Sequence, residues 1–326
     1  MTGPSREVAA VRLAVRRALE ASGRGRHGVH VACSGGGDSL ALAGAARFVA
    51  ARLGVACGLV TVDHQLQEGS ASRAAELAAW ARSVGFSPVF ATAVEVAGRS
   101  GGPEAAAREA RYEALRKAAH DCGGATVLLG HTQEDQAETV LLALARGGGP
   151  RGLAGMPAVR EVDGIMFLRP LLGLARAEVR AACAEMGLKA WEDPHNSDPA
   201  FARARVRSAL PVLVDVLGAG VVANLARTAA LVADDTAALD ELAERAVSVA
   251  RVPDGLAVDV LLTQPAAVRT RVLRLYAAEL GANALSQRHI AALDTLVTDW
   301  HGQGPVGLPG GVLVGRSGGL VAPVRG

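Results

Sequence analysis

Short β-branched runs alternate with helical stretches along the first half of the chain. Strands are predicted where apolar, β-branched runs stand between turn residues, and helices where apolar residues recur at helical spacing. This alternation predicts an α/β fold with a doubly wound, mostly parallel sheet and right-handed crossovers. The predicted strands are 29–33, 57–62, 89–94, 126–129 and 165–168, and the predicted helices between them are 40–53, 72–84, 104–122 and 176–186.

The pattern changes near residues 211–218. Long Ala, Leu and Val stretches broken by Arg and Asp predict helices over 221–250, 266–280 and 287–300. The Gly-rich tail predicts short strands joined by turns. A chain of 326 residues is long enough for two domains. We therefore expect a sheet domain over 1–214 and a smaller, mainly helical domain that ends in short strands over 215–326.

Composition indicates the cellular location of the protein more clearly than its function. The net charge is +2, and only Lys117 and Lys189 among the 34 basic residues are lysines, so arginine abundance alone is weak evidence for phosphate binding. The four cysteines form no CxxC pair, which fits a reducing cytoplasm. No apolar run approaches the roughly 20 residues of a membrane-spanning helix, and the N-terminus lacks a signal-peptide pattern. We expect a cytoplasmic protein with no membrane partner.

A glycine-rich turn follows the first predicted strand and leads into a helix. Residues 34–39 read SGGGDS. Glycines allow a tight turn and close approach of a ligand, and backbone N–H groups at a helix start attract anions. The lysine of the P-loop motif and the GxGxxG dinucleotide fingerprint are both missing here. A flexible turn with Asp38 as helix cap is the alternative, but the position after a first α/β strand favours phosphate binding.

The SGGGDS turn resembles the PP-loop of the N-type ATP pyrophosphatases, which split ATP between the α and β phosphates. The resemblance implies that ATP is a substrate. An acidic residue in a phosphate cradle repels its ligand unless a cation intervenes, so Asp38 is predicted to hold Mg²⁺. Asp63 and His64 follow the second strand, where such sheets bind ligands, although a structural role near a turn is an equal alternative for the histidine. The ATP-binding residues predicted here are Ser34, Gly35, Gly36, Gly37, Asp38, Ser39, Asp63 and His64.

A second polar stretch, GHTQEDQAET over 130–139, follows the fourth strand and opens a helix. His131, Asp135 and Glu138 are spaced four and three apart, which places them on one face of a helix. Two carboxylates on one face near a phosphate site repel each other unless a cation lies there, and an ammonium group or Mg²⁺ would supply it. An acidic helix N-terminus stabilised by the helix dipole is the alternative.

Together with the SGGGDS turn, residues 130–156 are very similar to the signature of the tRNA(Ile)-lysidine synthetases. The resemblance implies that Asp135 and Glu138 hold the substrate lysine; a cation site that includes His131 stays open. Residues 107–115 match the family segment ARxxRYxxL, and this match implies that Arg108 or Arg111 faces ATP or the lysine carboxylate. A solvated helix with Arg–Glu pairs is the alternative for this segment.

An arginine run, FARARVR over 201–207, follows a loop rich in Pro and Asn. Arg203 and Arg207 are spaced to share a helix face. An isolated run of this kind is usually solvated surface, but this one resembles a family segment, with Ala204 in place of Asn. The resemblance implies arginines around the triphosphate and the tRNA. We assign Arg205 to catalysis with Asp38, Arg203 and His131 to ATP, and Arg203 with Arg207 to the tRNA.

The resemblance implies a two-step reaction. O2 of the wobble cytidine attacks the α-phosphate of ATP, and the lysine ε-amine then displaces AMP at C2, which changes the tRNA from methionine to isoleucine identity. The implied partners are L-lysine and tRNA(Ile) with a CAU anticodon, with ATP as substrate and Mg²⁺ as cofactor; a monomer and a homodimer are both compatible with the sequence. A PP-loop tRNA thiolase is one alternative, although it usually needs paired cysteines, and a nucleotide-binding module without turnover is another.

Overall fold

The computed structural model describes residues 3–23, 28–63, 65, 69–95, 103–123, 126–191 and 198–324. The predicted site residue His64 lies outside the described residues. The chain divides into two compact units between Val232 and Ala233. The predicted boundary after residue 214 falls instead within the helix Ala202–Leu217, and the division into domains stays a prediction.

The first unit is built on a six-stranded sheet of β1 (Val29–Ala32), β2 (Cys57–Asp63), β3 (Val89–Ala93), β4 (Thr126–Leu129), β5 (Val159–Val162) and β6 (Ile165–Leu168). The strand order is β3-β2-β1-β4-β6-β5, and every neighbouring pair is parallel except β5 with β6. The predicted α/β fold class is therefore confirmed. Because β1 pairs with β2 on one side and with β4 on the other, the chain reverses its direction of winding at β1, where such sheets bind ligands.

Helices cover this sheet, and their sequences explain how. The first helix is amphipathic: Ser5 caps it through the Val8 N–H, and its buried residues Val11, Val15 and Leu19 follow helical spacing. The second is Ala- and Leu-rich on all sides and is buried accordingly. The helices of this unit are α1 (Arg6–Ser22), α2 (Gly37–Leu53), α3 (Ser70–Ser83), α4 (Pro103–Asp121), α5 (Gln133–Ala145), α6 (Pro150–Leu153), α7 (Arg176–Glu185) and α8 (Ala202–Leu217).

The long helix α9 (Val221–Ala250) contains the division between the units. The second unit adds the helices α10 (Val258–Leu262), α11 (Ala266–Glu279) and α12 (Gln287–Thr298). An antiparallel sheet in the order β7-β8-β11-β10-β9 packs with them. Its first two strands were not predicted, because they are only two and three residues long. The strands are β7 (Arg251–Val252), β8 (Gly255–Ala257), β9 (Val306–Leu308), β10 (Val312–Ser317) and β11 (Leu320–Pro323).

Within the described residues, no single helix is long and apolar enough to cross a membrane. Only α8 and α9 taken together, across a bend of 103°, meet the length and composition of a span.

His30 is a buried histidine within the sheet. It lies on β1 with 3% of its surface exposed, and neither ring nitrogen has a hydrogen-bond partner among the described residues. Gly58 on β2 makes room for the ring, since a Cβ at that position would lie 2.5 Å from two of its atoms. Burial lowers the pKa of His30 below its ordinary value. The folded chain therefore keeps this histidine neutral.

We expect His30 to lower folding stability in mild acid. The unfolded chain takes up a proton near pH 6.5, roughly the ordinary histidine pKa, whereas the folded chain resists it. The contribution of the neutral His30 to the free energy of unfolding is therefore fully present above that pH. At lower pH the free energy of unfolding decreases, by up to about 1.4 kcal/mol per pH unit. Urea unfolding at several pH values should show a shallower decline for His30→Leu than for wild type. His120→Leu, at an exposed position, should match wild type, and an unchanged decline in His30→Leu would contradict the prediction.

Candidate active site

The glycine-rich turn joins β1 to α2 and is held by its own serines. Gly35 has a φ of +85°, in the left-handed region that favours glycine. The Ser39 hydroxyl donates to the Gly36 carbonyl at 2.9 Å and accepts from the Ser34 N–H at 3.2 Å. Helix α2 begins at Gly37, and its N-cap residue Gly36 places no side chain over the first-turn N–H groups. The turn is thus a preformed cradle for an anion.

The carboxyl ends of β1, β2 and β4 border a cavity of about 1200 Å³. The segment after β4 lies tightly against the glycine-rich turn: a Cβ at Gly130 would lie 3.2 Å from the Ser39 Cα. Asp63, at the end of β2, lines the cavity and accepts the Gln65 N–H at 2.8 Å. A cavity of this size can hold a nucleotide and a second small substrate. The basic side chains along its wall are Arg73, Arg111, Arg176, Arg180, Lys189 and Arg207.

Arg176 contacts three carboxylates at once. Its Nη2 donates to Asp135 Oδ1 at 2.9 Å and lies 3.5 Å from Glu138 Oε1. Its Nε lies 3.5 Å from Asp38 Oδ2. Its backbone N–H, at the start of α7, donates to the Glu134 carboxylate at 2.8 Å. This role could not be predicted from the sequence, because Arg176 stands in no motif and marks only the start of a predicted helix.

Two arginines of α8 complete what we call the carboxylate–arginine cluster: Asp38, Asp135, Glu138, Arg176, Arg203 and Arg207. Arg207 Nε donates to Glu138 Oε1 at 2.7 Å, and its Nη2 to Glu138 Oε2 and Asp135 Oδ1 at 3.2 Å each. Arg203 donates to Thr139 Oγ1 at 2.9 Å, with its Nε 3.6 Å from Glu138 Oε2. The Glu138 side chain is fully buried. The sequence predicted that a cation lies beside these carboxylates. In this structure the neighbouring positive charges are guanidinium groups of the chain itself.

The spacing predicted that His131 shares a helix face with the two carboxylates, and this prediction is wrong. Helix α5 begins at Gln133 with Thr132 as its N-cap, so His131 precedes the helix. Asp135 Oδ2 accepts the Thr132 N–H at 2.8 Å and its hydroxyl at 3.1 Å, which closes the helix start. Burial lowers the pKa of His131 to about 3, and its buried Nδ1 has no partner among the described residues. The ring is therefore neutral at neutral pH and lines the cavity.

Asp38 offers a carboxylate oxygen that suits Mg²⁺. Its Oδ1 is buried and accepts no hydrogen bond from the described residues. Burial raises the pKa of Asp38, and the neighbouring Asp135 adds to the rise, while Arg176 opposes it. No group of three or more His, Cys, Asp or Glu within the described ranges is arranged to hold a metal. Mg²⁺ commonly needs only one or two carboxylates besides substrate phosphates, so the residues present fit this ion.

A second group of arginines surrounds Tyr112. Arg169 donates to the Tyr112 hydroxyl at 2.9 Å and to the Pro157 carbonyl at 2.6 Å. The guanidinium groups of Arg108 and Arg111 lie 5.1 and 5.9 Å from the centre of the tyrosine ring and have no ion pair among the described residues. Burial lowers the pKa of both, and the positive charges of neighbouring arginines, Arg203 and Arg169 among them, lower it further. Half-buried arginines without counter-ions suit a bound anion, and of the two only Arg111 lines the cavity.

Arg205 is not brought to the cavity. Its side chain is exposed, and Nη1 donates to the carbonyls of Pro199 and Ala200 at 2.7 and 3.0 Å. Arg203 and Arg207 lie four residues apart on α8, and the intervening Arg205 points to another face because successive helical positions are turned by about 100°. The predicted partnership of Arg205 with Asp38 is thus not seen, and Arg176 and Arg207 stand nearer that carboxylate.

We expect Arg207→Ala and Arg205→Ala to differ in activity. Loss of Arg207 leaves the buried Glu138 short of its closest partner and should lower kcat/KM by on the order of 10²-fold. Arg205→Ala loses only exposed hydrogen bonds to backbone carbonyls and should change kcat/KM by less than about threefold. Steady-state kinetics of both variants under one set of conditions checks this contrast. Equal losses of kcat/KM in the two variants would show that Arg205 also acts at the site.

Sequence motifs also missed an aromatic wall of the cavity. The Trp191 N–H donates to the Gly35 carbonyl at 3.0 Å, which ties the segment after α7 to the glycine-rich turn. The Arg73 guanidinium lies 4.4 Å from the centre of the Trp191 ring, and both side chains line the cavity. Neither residue belongs to a local pattern; only the fold brings α3 and residue 191 together.

Comparison with known proteins agrees with this architecture. Residues 10–213 match the family model of the PP-loop domain. The fold, the glycine-rich turn and the cavity beside it thus define a PP-loop protein. Residues 256–321 match the model of the TilS substrate binding domain.

Full-length relatives narrow the class to one family. The chain is 60% identical over 322 residues to the tRNA(Ile)-lysidine synthase of Salinispora tropica, with 97% of this chain and 96% of the relative covered. It is 55% identical to that of Thermobifida fusca (95% of each covered) and 50% identical to that of Streptomyces coelicolor (97% and 98%). The chain belongs to the tRNA(Ile)-lysidine synthase family, as its motifs had predicted.

The chain also resembles the solved structure of another enzyme. The U34-tRNA thiolase NcsA from Methanococcus maripaludis, with its 4Fe–4S cluster, superposes with a TM-score of 0.57 at 15% identity, over 70% of this chain and 80% of the thiolase. At that identity the similarity shows the fold alone.

Proposed function

We propose that this chain joins L-lysine to the wobble cytidine of tRNA(Ile) with a CAU anticodon, at the expense of ATP. One observation carries the proposal: a single cavity joins a preformed phosphate cradle, with Asp38 beside it, to Asp135, which shares Arg176 and Arg207 with the fully buried Glu138 behind it. The family confirms the predicted activity, a carbon–nitrogen ligase of the tRNA(Ile)-lysidine synthase type. The use of tRNA and ATP as substrates supports a cytoplasmic location.

The cradle and the basic wall serve the adenylation step. Backbone N–H groups of the glycine-rich turn and the start of α2 bind phosphate oxygens, while Arg180 and Arg207 neutralise charge along the polyphosphate. Mg²⁺ held by Asp38 would stabilise the negative charge on the departing pyrophosphate. The cytidine O2 forms a bond to the α-phosphorus as the bond to the β-phosphate oxygen breaks. The base then carries AMP, which leaves far more readily than a carbonyl oxygen.

The acidic end of the cavity serves the amine step. Asp135 and Glu138 attract the ammonium of lysine, and one carboxylate takes a proton as the amine nitrogen attacks C2. The C2–O2 bond then breaks and AMP leaves. Burial alone would raise the pKa of Asp135, but Arg176, the Thr132 N–H and Arg207 outweigh it and keep that pKa below its ordinary value. Asp135 is therefore ionised and able to hold a cation.

The arginines around Tyr112 complete the amino-acid site. Arg111 lines the cavity, and the Arg108 guanidinium lies 5.1 Å from the centre of the same tyrosine ring. Their lack of ion pairs among the described residues suits the carboxylate of lysine, which a guanidinium binds through two parallel hydrogen bonds. Lysine would thus be recognised at both ends, by carboxylates for the ammonium and by Arg111 for the carboxylate.

A thiolase is the nearest alternative, since an enzyme of that kind shares the fold. Sulfur transfer usually requires paired cysteines or an iron–sulfur cluster. The chain has four cysteines, all free. Cys33 and Cys183 are buried, and burial raises the pKa of both thiols. Burial also raises the pKa of Cys57, to about 12. Thiols held in the protonated form are poor nucleophiles and poor ligands, so the cysteines favour the ligase.

Incorporation of labelled lysine tests the proposal directly. Purified protein with ATP, Mg²⁺ and labelled L-lysine should label tRNA(Ile) with a CAU anticodon and leave elongator methionine tRNA almost unlabelled. Release of pyrophosphate should require the tRNA. Pyrophosphate release with tRNA but without any lysine incorporation would exclude the ligase and leave another PP-loop chemistry. Tight ATP binding without any turnover would leave a nucleotide-binding module.

A further inference from the structure

Arg176 joins the two halves of the proposed active site. Its Nε faces Asp38, the residue beside the phosphate cradle, at 3.5 Å, and its Nη2 faces Asp135 at 2.9 Å and Glu138 at 3.5 Å. Its side chain is only 15% exposed, and its backbone N–H is fixed by Glu134. A single guanidinium is thus shared between the nucleotide side and the amine side.

The charges of the carboxylate–arginine cluster already balance. Its three carboxylates, Asp38, Asp135 and Glu138, face three guanidinium groups. Glu138 is fully buried and cannot turn its charge to water. An ammonium that enters must therefore displace a guanidinium from a carboxylate, and a displaced, mostly buried guanidinium needs another anion.

We propose that Arg176 is a positioning residue that makes lysine binding depend on bound nucleotide. The inference rests on the proposed function. A polyphosphate in the cavity offers Arg176 a second anion, and a cation beside Asp38 removes its need for the arginine. The guanidinium of Arg176 then pairs with the phosphates in place of Asp135 and Glu138. These two carboxylates are then able to bind the ammonium of lysine. A ligand shifts such an equilibrium only through its different affinity for the two arrangements, which the phosphates supply.

Direct binding of lysine to wild type tests the dependence. Equilibrium dialysis of labelled L-lysine is performed with the protein alone and with Mg²⁺ plus a non-hydrolysable α,β-methylene analogue of ATP. We expect the analogue to tighten lysine binding by about tenfold or more, within the usual range of coupling between sites. By linkage, lysine must tighten binding of the analogue by the same factor. Equal lysine affinity with and without the analogue overturns the proposal.

Variants of Arg176 assign the dependence to this residue. Arg176→Gln should bind lysine more tightly than wild type when nucleotide is missing, and its coupling factor should fall to within about twofold of unity. Arg176→Lys keeps a charge in the cluster if the neutral variant folds poorly; a single ammonium cannot span the carboxylates, so its coupling should fall below that of wild type. Arg16→Gln, which loses an exposed pair with Glu20 on α1, is the matched control and should behave as wild type.

The outcomes separate this proposal from the proposed function. Full coupling retained in both Arg176 variants overturns the positioning role, even if wild type forms lysidine normally. Wild type that forms no lysidine and binds no lysine in either condition overturns the proposed function, and this inference with it. Coupling present in wild type and Arg16→Gln but weakened in both Arg176 variants supports the inference.

Discussion

Replacement of Asp38 by asparagine should lower pyrophosphate release by at least about 10³-fold and leave the fold intact. The variant loses the anionic oxygen that would hold Mg²⁺ at the phosphate cradle. The fold should survive because Asp38 Oδ1 accepts no hydrogen bond from the described residues and the ion pair of Oδ2 with Arg176 is long, at 3.5 Å. Burial raises the pKa of Asp38, so a neutral amide also avoids the cost of a buried charge.

Two measurements check this result. Pyrophosphate release is followed with saturating tRNA and lysine, and thermal unfolding is recorded for the same samples. Asp163→Asn is the matched control, because Asp163 is 67% exposed in its pair with Arg116. Near-normal release by Asp38→Asn would refute the Mg²⁺ role of this residue. A large fall in melting temperature would instead make the loss structural.

Glu138→Gln should raise the KM for lysine by about 30-fold or more and that for ATP by less than about threefold. The variant keeps the shape of the side chain but loses the charge that would attract the ammonium. It should also lower the free energy of unfolding by on the order of 2 kcal/mol, because Arg207 and Arg203 lose their buried anion. The loss stays below the larger values for fully buried pairs, since these arginines are 33% and 27% exposed.

Steady-state kinetics with each substrate varied in turn separates these effects. Glu109→Gln, at an exposed position of α4, serves as the control for loss of one negative charge. If Glu138→Gln changes only the ATP requirement, the assignment of lysine to this carboxylate is wrong. Chemical denaturation of both variants checks the stability part.

Much of the fold could be predicted because its strands and helices carry their own local signals. The helix predicted over 221–250 is observed as Val221–Ala250, and all five predicted strands begin and end within one residue of the observed bounds. The edge strand β5 was missed because its residues Val159, Arg160 and Glu161 are exposed and carry no apolar run. Asp163-Gly164, both with positive φ, was the available signal, since such a pair favours a hairpin turn.

The site was predictable only where its residues stand in one segment. The glycine-rich turn and the acidic start of α5 were found by motif, and the structure brings both to one cavity. Arg176 was not found, because its three carboxylates come from two other helices and only the folded sheet unites them. The arginine run led us to place Arg205 beside Asp38, and the structure does not show that contact. A motif states which residues are present and not which way each one points.

The tight contact at Gly130 limits how this enzyme can be changed. Even a methyl group there would meet the backbone of Asp38 and Ser39 at 3.2–3.3 Å, a distance at which one of the two segments must give way. The start of α5 therefore cannot be shifted without deforming the glycine-rich turn. A redesign toward a shorter or longer amino acid must exchange side chains on α5, because the main chain beneath them has no slack.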